Sequence, residues 1–311
     1  MPIVVSHTFG HEVDKPEYWC KYLWRGKFSV AHSQGPILEF VKECINKYEL
    51  PVSLLLVQGD GMDETAEVNR LTYNNEIYDY YKSTLGQPTC ILVSLCSRNI
   101  TNDKFLIVPL DDESFNKGVY DHVSEHITRT PWNEKISKVY WRGMCSGELN
   151  TDNLRERVVL ALREKDIANV KLIQPFVNER KEGPLVDSND RTIYDTELRP
   201  FQDFVNYKYN LILDGACIAS SLQWGFASGS VPILVTHPGN EWWFKRYIEP
   251  MKHYVPVNYD LSDLDDKLNW LLTYDDKAQE IAANAIEFSK YYFSSGFQKY
   301  HLENEIAGKL V

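Results

Sequence analysis

The sequence predicts an α/β fold built from two domains. Short apolar runs that lack polar alternation, as in buried parallel strands, alternate along the chain with segments whose apolar residues follow helical spacing. The chain has 311 residues, which exceeds the usual size of one domain and is comfortable for two. Its 43% of hydrophobic residues is enough to build a sizeable core.

The first half of the chain shows this alternation after an irregular start. Helical spacing predicts a helix over residues 36–48, and apolar runs predict strands at 52–57, 91–95 and 105–108. Residues 110–118 are polar and are predicted to form a loop, with a helix following up to Thr130. Aromatic side chains at positions 18–24 suit core packing and would also suit a surface that stacks on sugars. We expect a first domain over 1–128.

The second half repeats the alternation. Strands are predicted at 138–141, 170–173, 229–235 and 253–257, together with the apolar run that ends at Leu213. Helices are predicted over 153–165 and along two apolar stripes that begin at Leu261 and Ala278. We expect a second domain over 129–280 and a helical segment over 281–311 that can pack back on the first domain.

The charge of the chain excludes some classes of function. A formal net charge of −11 and a pI near 5.3 disfavour a protein that coats nucleic acid or anionic membrane, because such binding depends on clustered cations. A small anionic ligand stays compatible with a few locally placed cations. No apolar run approaches the roughly 20 residues that span a bilayer, and the first residues do not resemble a secretory signal. We therefore expect a cytoplasmic protein without a transmembrane segment.

The six cysteines indicate reduced thiols. They are scattered through the chain, mostly in apolar surroundings, at positions 20, 44, 90, 96, 145 and 217. This spacing matches neither a disulfide framework nor a zinc site. We expect no structural metal.

A first polar turn follows the predicted strand at 52–57. It places Asp60 between Gly59 and Gly61, at the carboxyl end of the strand, where ligands of α/β domains usually bind. The glycines allow a ligand to approach the backbone closely. The same residues also suit an Asx-type turn with solvated carboxylates.

A second motif, Trp141-Arg142-Gly143, stands at the end of the strand predicted at 138–141. A guanidinium held on a glycine-containing turn makes paired hydrogen bonds to phosphate oxygens that a lysine does not reproduce. The alternative for Arg142 is an ion pair with a nearby carboxylate such as Glu148.

A third motif runs from Asp214 to Ser221. The Asp214-Gly215 break follows a buried strand, and the hydroxyls of Ser220 and Ser221 precede a new apolar segment, as expected for a turn into a helix. Backbone N–H groups and the two hydroxyls can hold an anion at such a helix N-terminus. The alternative is an ordinary strand-to-helix connection with a serine cap.

Several ordered blocks of the second half resemble glycosyltransferase family 90. This family includes the protein O-glucosyltransferases, fungal capsule xylosyltransferases and bacterial lipopolysaccharide-modifying proteins. The blocks are Pro131-Trp132, residues 139–143, 207–209, 214–215, 228–232, 241–243, 253–257, 260–264 and 278–282. In its length and its first residues the chain is more similar to cytoplasmic bacterial or large-virus members than to secretory ones.

The resemblance implies a GT-B fold, in which two Rossmann-like domains face a central cleft. The C-terminal domain would hold a UDP-sugar, UDP-xylose or UDP-glucose, and the N-terminal domain would hold a hydroxyl of a glycan or glycoprotein acceptor. The implied reaction is inverting, metal-independent and free of cofactors, with one carboxylate that removes the acceptor's proton. The alternative is a catalytically silent module of the same fold that binds carbohydrate or nucleotide.

The resemblance also assigns roles to residues. Arg142 falls on the arginine of the family's Arg-Gly motif and would bind the diphosphate, and Asp60 falls on the expected base, with Asp63 and Asp112 in reserve. Many members carry an arginine six residues after the glycine of the third motif, where this chain has Ser221. Arg142, Arg157 or Lys208 would have to replace that charge. The donor-binding residues implied are Arg142, Gly143, Asp214, Gly215, Ser220, Ser221 and Arg157.

Overall fold

The computed structural model of the chain describes most of the second half and parts of the first. The described residues are 4–5, 36–48, 53–56, 62–63, 90–94, 96–98, 105–109, 112–145, 153–173, 194–195, 201–215, 218–219 and 221–310. Within them the strands are β1 Val4–Val5, β2 Ser53–Leu56, β3 Met62–Asp63, β4 Cys90–Ser94, β5 Ser97–Arg98, β6 Phe105–Ile107, β7 Ile136–Gly143, β8 Ala168–Ile173, β9 Tyr194–Asp195, β10 Tyr207–Leu213, β11 Val231–Val235, β12 Asn240–Glu241 and β13 Val255–Val257.

The helices alternate with these strands, as predicted for an α/β chain. They are α1 Pro36–Lys47, α2 Asp112–Lys117, α3 Val119–His126, α4 Leu154–Leu162, α5 Phe201–Val205, α6 Leu222–Ala227, α7 Leu264–Thr273, α8 Asp275–Tyr292 and α9 Ser295–Leu310. Single turns of 3-10 helix cover Trp132–Glu134 and Lys245–Tyr247. Within the described ranges, no helix is long and apolar enough to cross a membrane.

The chain divides into two compact units. The first contains Met1–Lys117, Gly239–Trp243 and Ser295–Val311, and the second contains Gly118–Pro238 and Phe244–Ser294. The division falls at 117/118, whereas the sequence predicts a boundary at 128/129. Helix α9 belongs to the first unit and α8 to the second.

The first unit holds a parallel sheet with the order β1-β2-β4-β6 and a small sheet with the order β12-β5-β3. Its core contains Ile37, Val41 and Ile45 of α1 and Leu302 of α9. The predicted loop at 110–118 is wrong, because most of it forms α2. Phe115 of α2 is fully buried in the same core, so tertiary packing overrides the weak helical preference of this polar segment.

The second unit contains a parallel sheet whose six described strands have the order β13-β11-β10-β7-β8-β9. Numbered by their sequence within the unit, the strands run 6-5-4-1-2-3, which is the order of the doubly wound nucleotide-binding folds. The order reverses between β7 and β10. Ligands of such sheets bind at the carboxyl ends of the strands at this switch point.

The core of the second unit explains why its strands were predictable. Every residue of β11 is buried, and so are the residues of β10 from Lys208 to Leu213, because helices cover the sheet on both faces. The alternating apolar residues of β10 and β11 belong to one cluster with Val158 and Leu162 of α4. The predicted α/β class is confirmed.

Candidate functional site

The switch point brings two of the predicted motifs together. Strands β7 and β10 are parallel neighbours, so their carboxyl ends lie side by side at one edge of the sheet. Strand β7 ends at Gly143, directly after Arg142, and β10 ends at Leu213, directly before Asp214. Motifs far apart in sequence therefore meet where a doubly wound sheet binds its ligand.

One guanidinium joins the two strand ends, and it belongs to Arg155 of α4. Its Nε donates to the carbonyl oxygen of Asp214 at 2.9 Å, its Nη1 to that of Met144 at 2.8 Å and its Nη2 to that of Leu213 at 3.1 Å. The planar fork of arginine suits this task, because one group reaches acceptors on both strands.

The start of α4 explains why Arg155 occupies this place. Asn153 caps the helix, since its Oδ1 accepts from the backbone N–H groups of Arg155 at 3.0 Å and Glu156 at 3.2 Å. A cation in the first turn is disfavoured by the helix dipole. Three carbonyl acceptors offset that cost, and the guanidinium carbon lies 5.7 Å from the centroid of the Trp141 ring.

Gly143 is required by the same indole. A Cβ atom at this position would lie 2.5 Å from Cζ2 of Trp141. Trp141 and Gly143 share one face of β7, because alternate residues of a strand point to the same side. The glycine of the Arg-Gly motif therefore leaves room for Trp141.

Arg142 points to the opposite face of β7 and away from β10. Its Nε donates to Oδ2 of Asp195 on β9 at 3.0 Å, and its Nη groups donate to the carbonyl and the side-chain oxygen of Asn169 on β8, each at 2.8 Å. The side chains of Arg142 and Asp195 are each 9% exposed. Arg142 thus has a carboxylate partner of its own, as the ion-pair alternative expects, although the partner comes from a distant strand. Its assignment to the diphosphate stays a prediction.

The Asp214 carboxylate connects β10 to β11. Its Oδ2 accepts from the hydroxyl of Thr236 and from the backbone N–H of His237, both at 2.7 Å. Asp214 is buried, and Gly215 beside it is half-buried. This carboxylate fixes the turn, and the half-buried Gly215 follows it at the strand end.

Ser221 is the N-cap residue of α6. Its side chain makes no capping hydrogen bond within the described part of the chain. Helix α6 has 6 residues and adds little dipole of its own. Among the described residues, two arginine side chains of α4, Arg155 and Arg157, lie near this edge.

Arg157, the second of these arginines, lies beside the loop after β13. Its Nη2 donates to the carbonyl of Tyr259 at 3.1 Å, and its guanidinium carbon lies 5.4 Å from the centroid of that ring. The ring of His237 meets the ring of Tyr259 edge to face, with centroids 5.2 Å apart. Hydrogen bonds from Ser262, and to a lesser extent the charge of Arg157, lower the pKa of the neighbouring Asp260 carboxyl.

Lys208 lies at the opposite edge of the sheet. It stands near the amino end of β10, where its Nζ pairs with Oδ1 of Asp275 at 2.6 Å and lies 4.9 Å from the centroid of the Trp132 ring. The structure therefore does not bring Lys208 to the switch point. Lys208 cannot replace the arginine that many family members carry at the position of Ser221.

The remaining predicted residues are only partly covered. Asp60 and Ser220 lie outside the described residues. Asp63 ends β3 and Asp112 begins α2, both in the first unit. The role of Asp60 as the base stays a prediction.

Sequence reasoning missed Arg155, Thr236, His237 and Tyr259. Three of them carry a signal of the same kind as Asp214, which directly follows the apolar run of β10. Thr236 and His237 directly follow the apolar run of β11, and Tyr259 stands two residues after β13. For Arg155 the signal is a cation in the first turn after an asparagine cap, which needs acceptors nearby.

The fold of the two units identifies the class of protein. The two units, each with a parallel sheet, form the α/β fold of the GT-B class, as predicted. The solved structure of TarM is similar to this chain with a TM-score of 0.51 and 12% sequence identity, over 82% of this chain and 50% of TarM. At this level of identity the likeness shows the fold alone.

The chain belongs to glycosyl transferase family 90, because the model of that family matches residues 116–301, more than half of the sequence. It is 30% identical over 246 residues to Protein O-glucosyltransferase 2 of Danio rerio, covering 70% of this chain and 44% of the relative. It is 25% identical over 272 residues to Uncharacterized protein 179R of Invertebrate iridescent virus 6, covering 68% of this chain and 22% of the relative. The chain spans less than half the length of these curated relatives.

Proposed function

We propose that this chain transfers a sugar, xylose or glucose, from a UDP-sugar to a hydroxyl of a glycan or glycoprotein, with inversion at the anomeric carbon and without a metal. Membership of glycosyl transferase family 90 and relatives named protein O-glucosyltransferase support the transfer reaction. The observation that carries the proposal is the meeting of both predicted donor motifs at the switch point of the sheet, joined by Arg155.

In this proposal the diphosphate lies against the carboxyl ends of β7 and β10. Backbone N–H groups after Asp214 and the hydroxyl of Ser221 donate to its oxygens. Arg155 and Arg157 supply positive charge from α4, and Arg142 contributes from the other face of β7. The diphosphate gains charge as it leaves, so these fixed donors stabilise the transition state more than the bound substrate.

The chemical step needs one base. Asp60 accepts the proton of the acceptor hydroxyl while the acceptor oxygen forms a bond to the anomeric carbon. The bond between that carbon and the diphosphate oxygen breaks at the same time, and UDP leaves with the electron pair. Attack from the face opposite the leaving group inverts the configuration.

A panel of UDP-sugars tests this proposal. Calorimetry measures donor binding, and a UDP-release assay with candidate glycan acceptors measures turnover, for the parent chain, Asp60→Asn and Arg155→Lys. Arg163→Lys, at the end of the same helix, is the matched control. We expect Asp60→Asn to bind donor without turnover and Arg155→Lys to bind donor more weakly than the control.

Each other outcome has a distinct meaning. Equal turnover in Asp60→Asn and the parent removes Asp60 as the base. Binding without turnover in the parent favours the silent binding module, and failure of every UDP-sugar to bind contradicts the proposal as a whole. The cytoplasmic location stays a prediction for cell fractionation to test.

A further inference from the structure

Helix α3 carries a group of side chains unrelated to the switch point. His122, Glu125 and His126 place one imidazole nitrogen each and a carboxylate oxygen within 4.8 Å of one another. Residues separated by three and four positions share one side of a helix, so this grouping follows from their spacing. Glu125 and His126 are exposed and His122 is half-buried, which leaves the group open to solvent.

One hydrogen bond fixes the state of His126. Its Nδ1 lies 2.8 Å from the carbonyl oxygen of His122, and a carbonyl only accepts, so Nδ1 carries the proton. In the neutral ring the lone pair is then on Nε2. This arrangement, with one imidazole N–H bound to a carbonyl and the other nitrogen free to coordinate, is the usual one for metal-binding histidines.

Two cations near α3, Arg129 and Lys290, lie across the helix from this group. Nη1 of Arg129 donates to Oγ of Ser124 at 2.8 Å, and both Arg129 and Lys290 lie over the ring of Tyr120, at 4.1 and 5.2 Å from its centroid. At about 100° per residue, Tyr120 and Ser124 are roughly 160° away from His122 around the axis. Arg129 and Lys290 thus lie across the helix from the imidazoles, and the chain as a whole is acidic.

The helix leads towards the amino edge of the sheet. Thr128, two residues after α3, donates its backbone N–H to Oε1 of Gln202 at 3.0 Å and accepts from Nε2 at 2.8 Å. Gln202 is on α5, which directly precedes β10. The group therefore lies on the side of the sheet opposite the strand ends that would hold the donor.

We propose that His122, Glu125 and His126 bind one divalent transition-metal ion of the zinc class. Two imidazole nitrogens and one carboxylate oxygen are the donor set that Zn²⁺ prefers, whereas Mg²⁺ and Ca²⁺ take oxygen ligands. Bonds of about 2.0–2.2 Å put tetrahedral ligands roughly 3.4 Å apart. The three donor atoms already lie within 4.8 Å of one another, and the hydrogen bond to the His122 carbonyl holds the His126 ring, so a small adjustment of the exposed Glu125 side chain is the change that coordination asks for. The fourth position is open to water or to a ligand from solution.

Zinc binding to the whole chain tests this inference independently of sugar transfer. A chromophoric chelator competes for Zn²⁺ with the parent, with His126→Ala and with Glu125→Gln, and the visible spectrum of bound Co²⁺ reports the ligands. Asp121→Asn removes an exposed carboxylate from the same helix and is the matched control. We expect the parent and the control to bind one ion that His126→Ala binds more than about tenfold more weakly.

Zinc binding by other histidines of the chain does not affect the conclusion, because the test compares the affinity of the parent for Zn²⁺ with that of His126→Ala. Circular dichroism checks that both variants are folded, and Zn²⁺ is expected to raise the unfolding temperature of the parent but not of His126→Ala. Equal affinity in the parent and His126→Ala, or loss of affinity in Asp121→Asn as large as in His126→Ala, would overturn the proposal.

Discussion

The guanidinium of Arg155 is hydrogen-bonded to the main-chain oxygen of Asp214 at 2.9 Å, and its other nitrogens donate to the carbonyls of Met144, which follows β7, and Leu213, which ends β10. The two strands are neighbours only because the sheet order reverses between them. Arg155 thus joins the carboxyl ends of the two strands at the switch point of the sheet.

Replacement of Arg155 by lysine is expected to lower the free energy of unfolding by about 1–3 kcal/mol. One ammonium group cannot reach three carbonyls on two strands, so at least one acceptor loses its partner. Urea unfolding of Arg155→Lys and Arg163→Lys measures the effect, and we expect the exposed Arg163 site to change by no more than about 0.5 kcal/mol. A stability of Arg155→Lys equal to that of the control would contradict the bridging role.

Replacement of Gly143 by alanine is expected to destabilise the fold, because the Trp141 ring leaves no room for a side chain. In Gly143→Ala the new Cβ would lie 2.5 Å from Cζ2 and 3.0 Å from Cη2 of the Trp141 indole, which is buried and cannot yield freely. Overpacking of this kind costs about 1–3 kcal/mol. Denaturant unfolding of Gly143→Ala, alone and in a Trp141→Leu background, measures it. We expect the loss to shrink in the second background; an equal loss in both would assign it to the backbone instead of the ring.

The sequence predicts the strands of the second unit well because they are buried on both faces and read as continuous apolar runs. The polar residues at their ends, Arg142 and Asp214, stand out for the same reason. What the local sequence does not contain is the order of the strands. The cation after the asparagine cap marks Arg155 in the sequence, but its contacts are identifiable only once β7 and β10 are known to be neighbours, because its acceptors are backbone carbonyls.

Arg142 and Phe115 show that a local sequence motif does not determine where a side chain points. Arg142 stands directly before a glycine at a strand end, and the motif suggests a ligand, yet the alternation of β7 turns it towards Asp195 and Asn169. Phe115 shows the same limit for a helix, because the segment around it is polar and becomes helical where this one ring enters the core. Both outcomes depend on partners distant in sequence.

The burial of Lys135 is expected to make the free energy of unfolding depend on pH. Its ammonium group is buried, donating to the carbonyl of Val205 and to Oγ of Ser230 at 3.0 Å, and burial, aided by the charge of Arg129, lowers its pKa from 10.5 to about 8. Below pH 8 both the folded and unfolded chains carry the charge, and the fold bears the cost of burying it. Between pH 8 and 10.5 the folded chain releases the proton while the unfolded chain keeps it, so this cost falls as pH rises.

The comparison with Lys135→Met isolates this effect. We expect the stability of the parent relative to the variant to increase between pH 8 and 10.5, by up to about 3 kcal/mol. Burial also raises the pKa of Tyr209 to about 12, with a smaller effect from the charge of Asp275, but that group is present in both proteins and cancels in the difference. Chemical denaturation at a series of pH values measures it, and a difference that does not change with pH would contradict the assignment.

Gln223 of α6 carries a buried amide for which the structure shows no hydrogen-bond partner among the described residues. A buried amide without a partner costs free energy, so Gln223→Met, which keeps the length and removes both polar atoms, is expected to unfold with an unchanged free energy or one higher by about 1 kcal/mol. The matched control is Gln202→Met, because the amide of Gln202 makes two exposed hydrogen bonds to Thr128 and its loss is expected to cost about 0.5–1.5 kcal/mol. Urea unfolding of both variants separates the cases. If Gln223→Met loses as much stability as Gln202→Met, the Gln223 amide has a partner in the folded chain and the prediction is wrong.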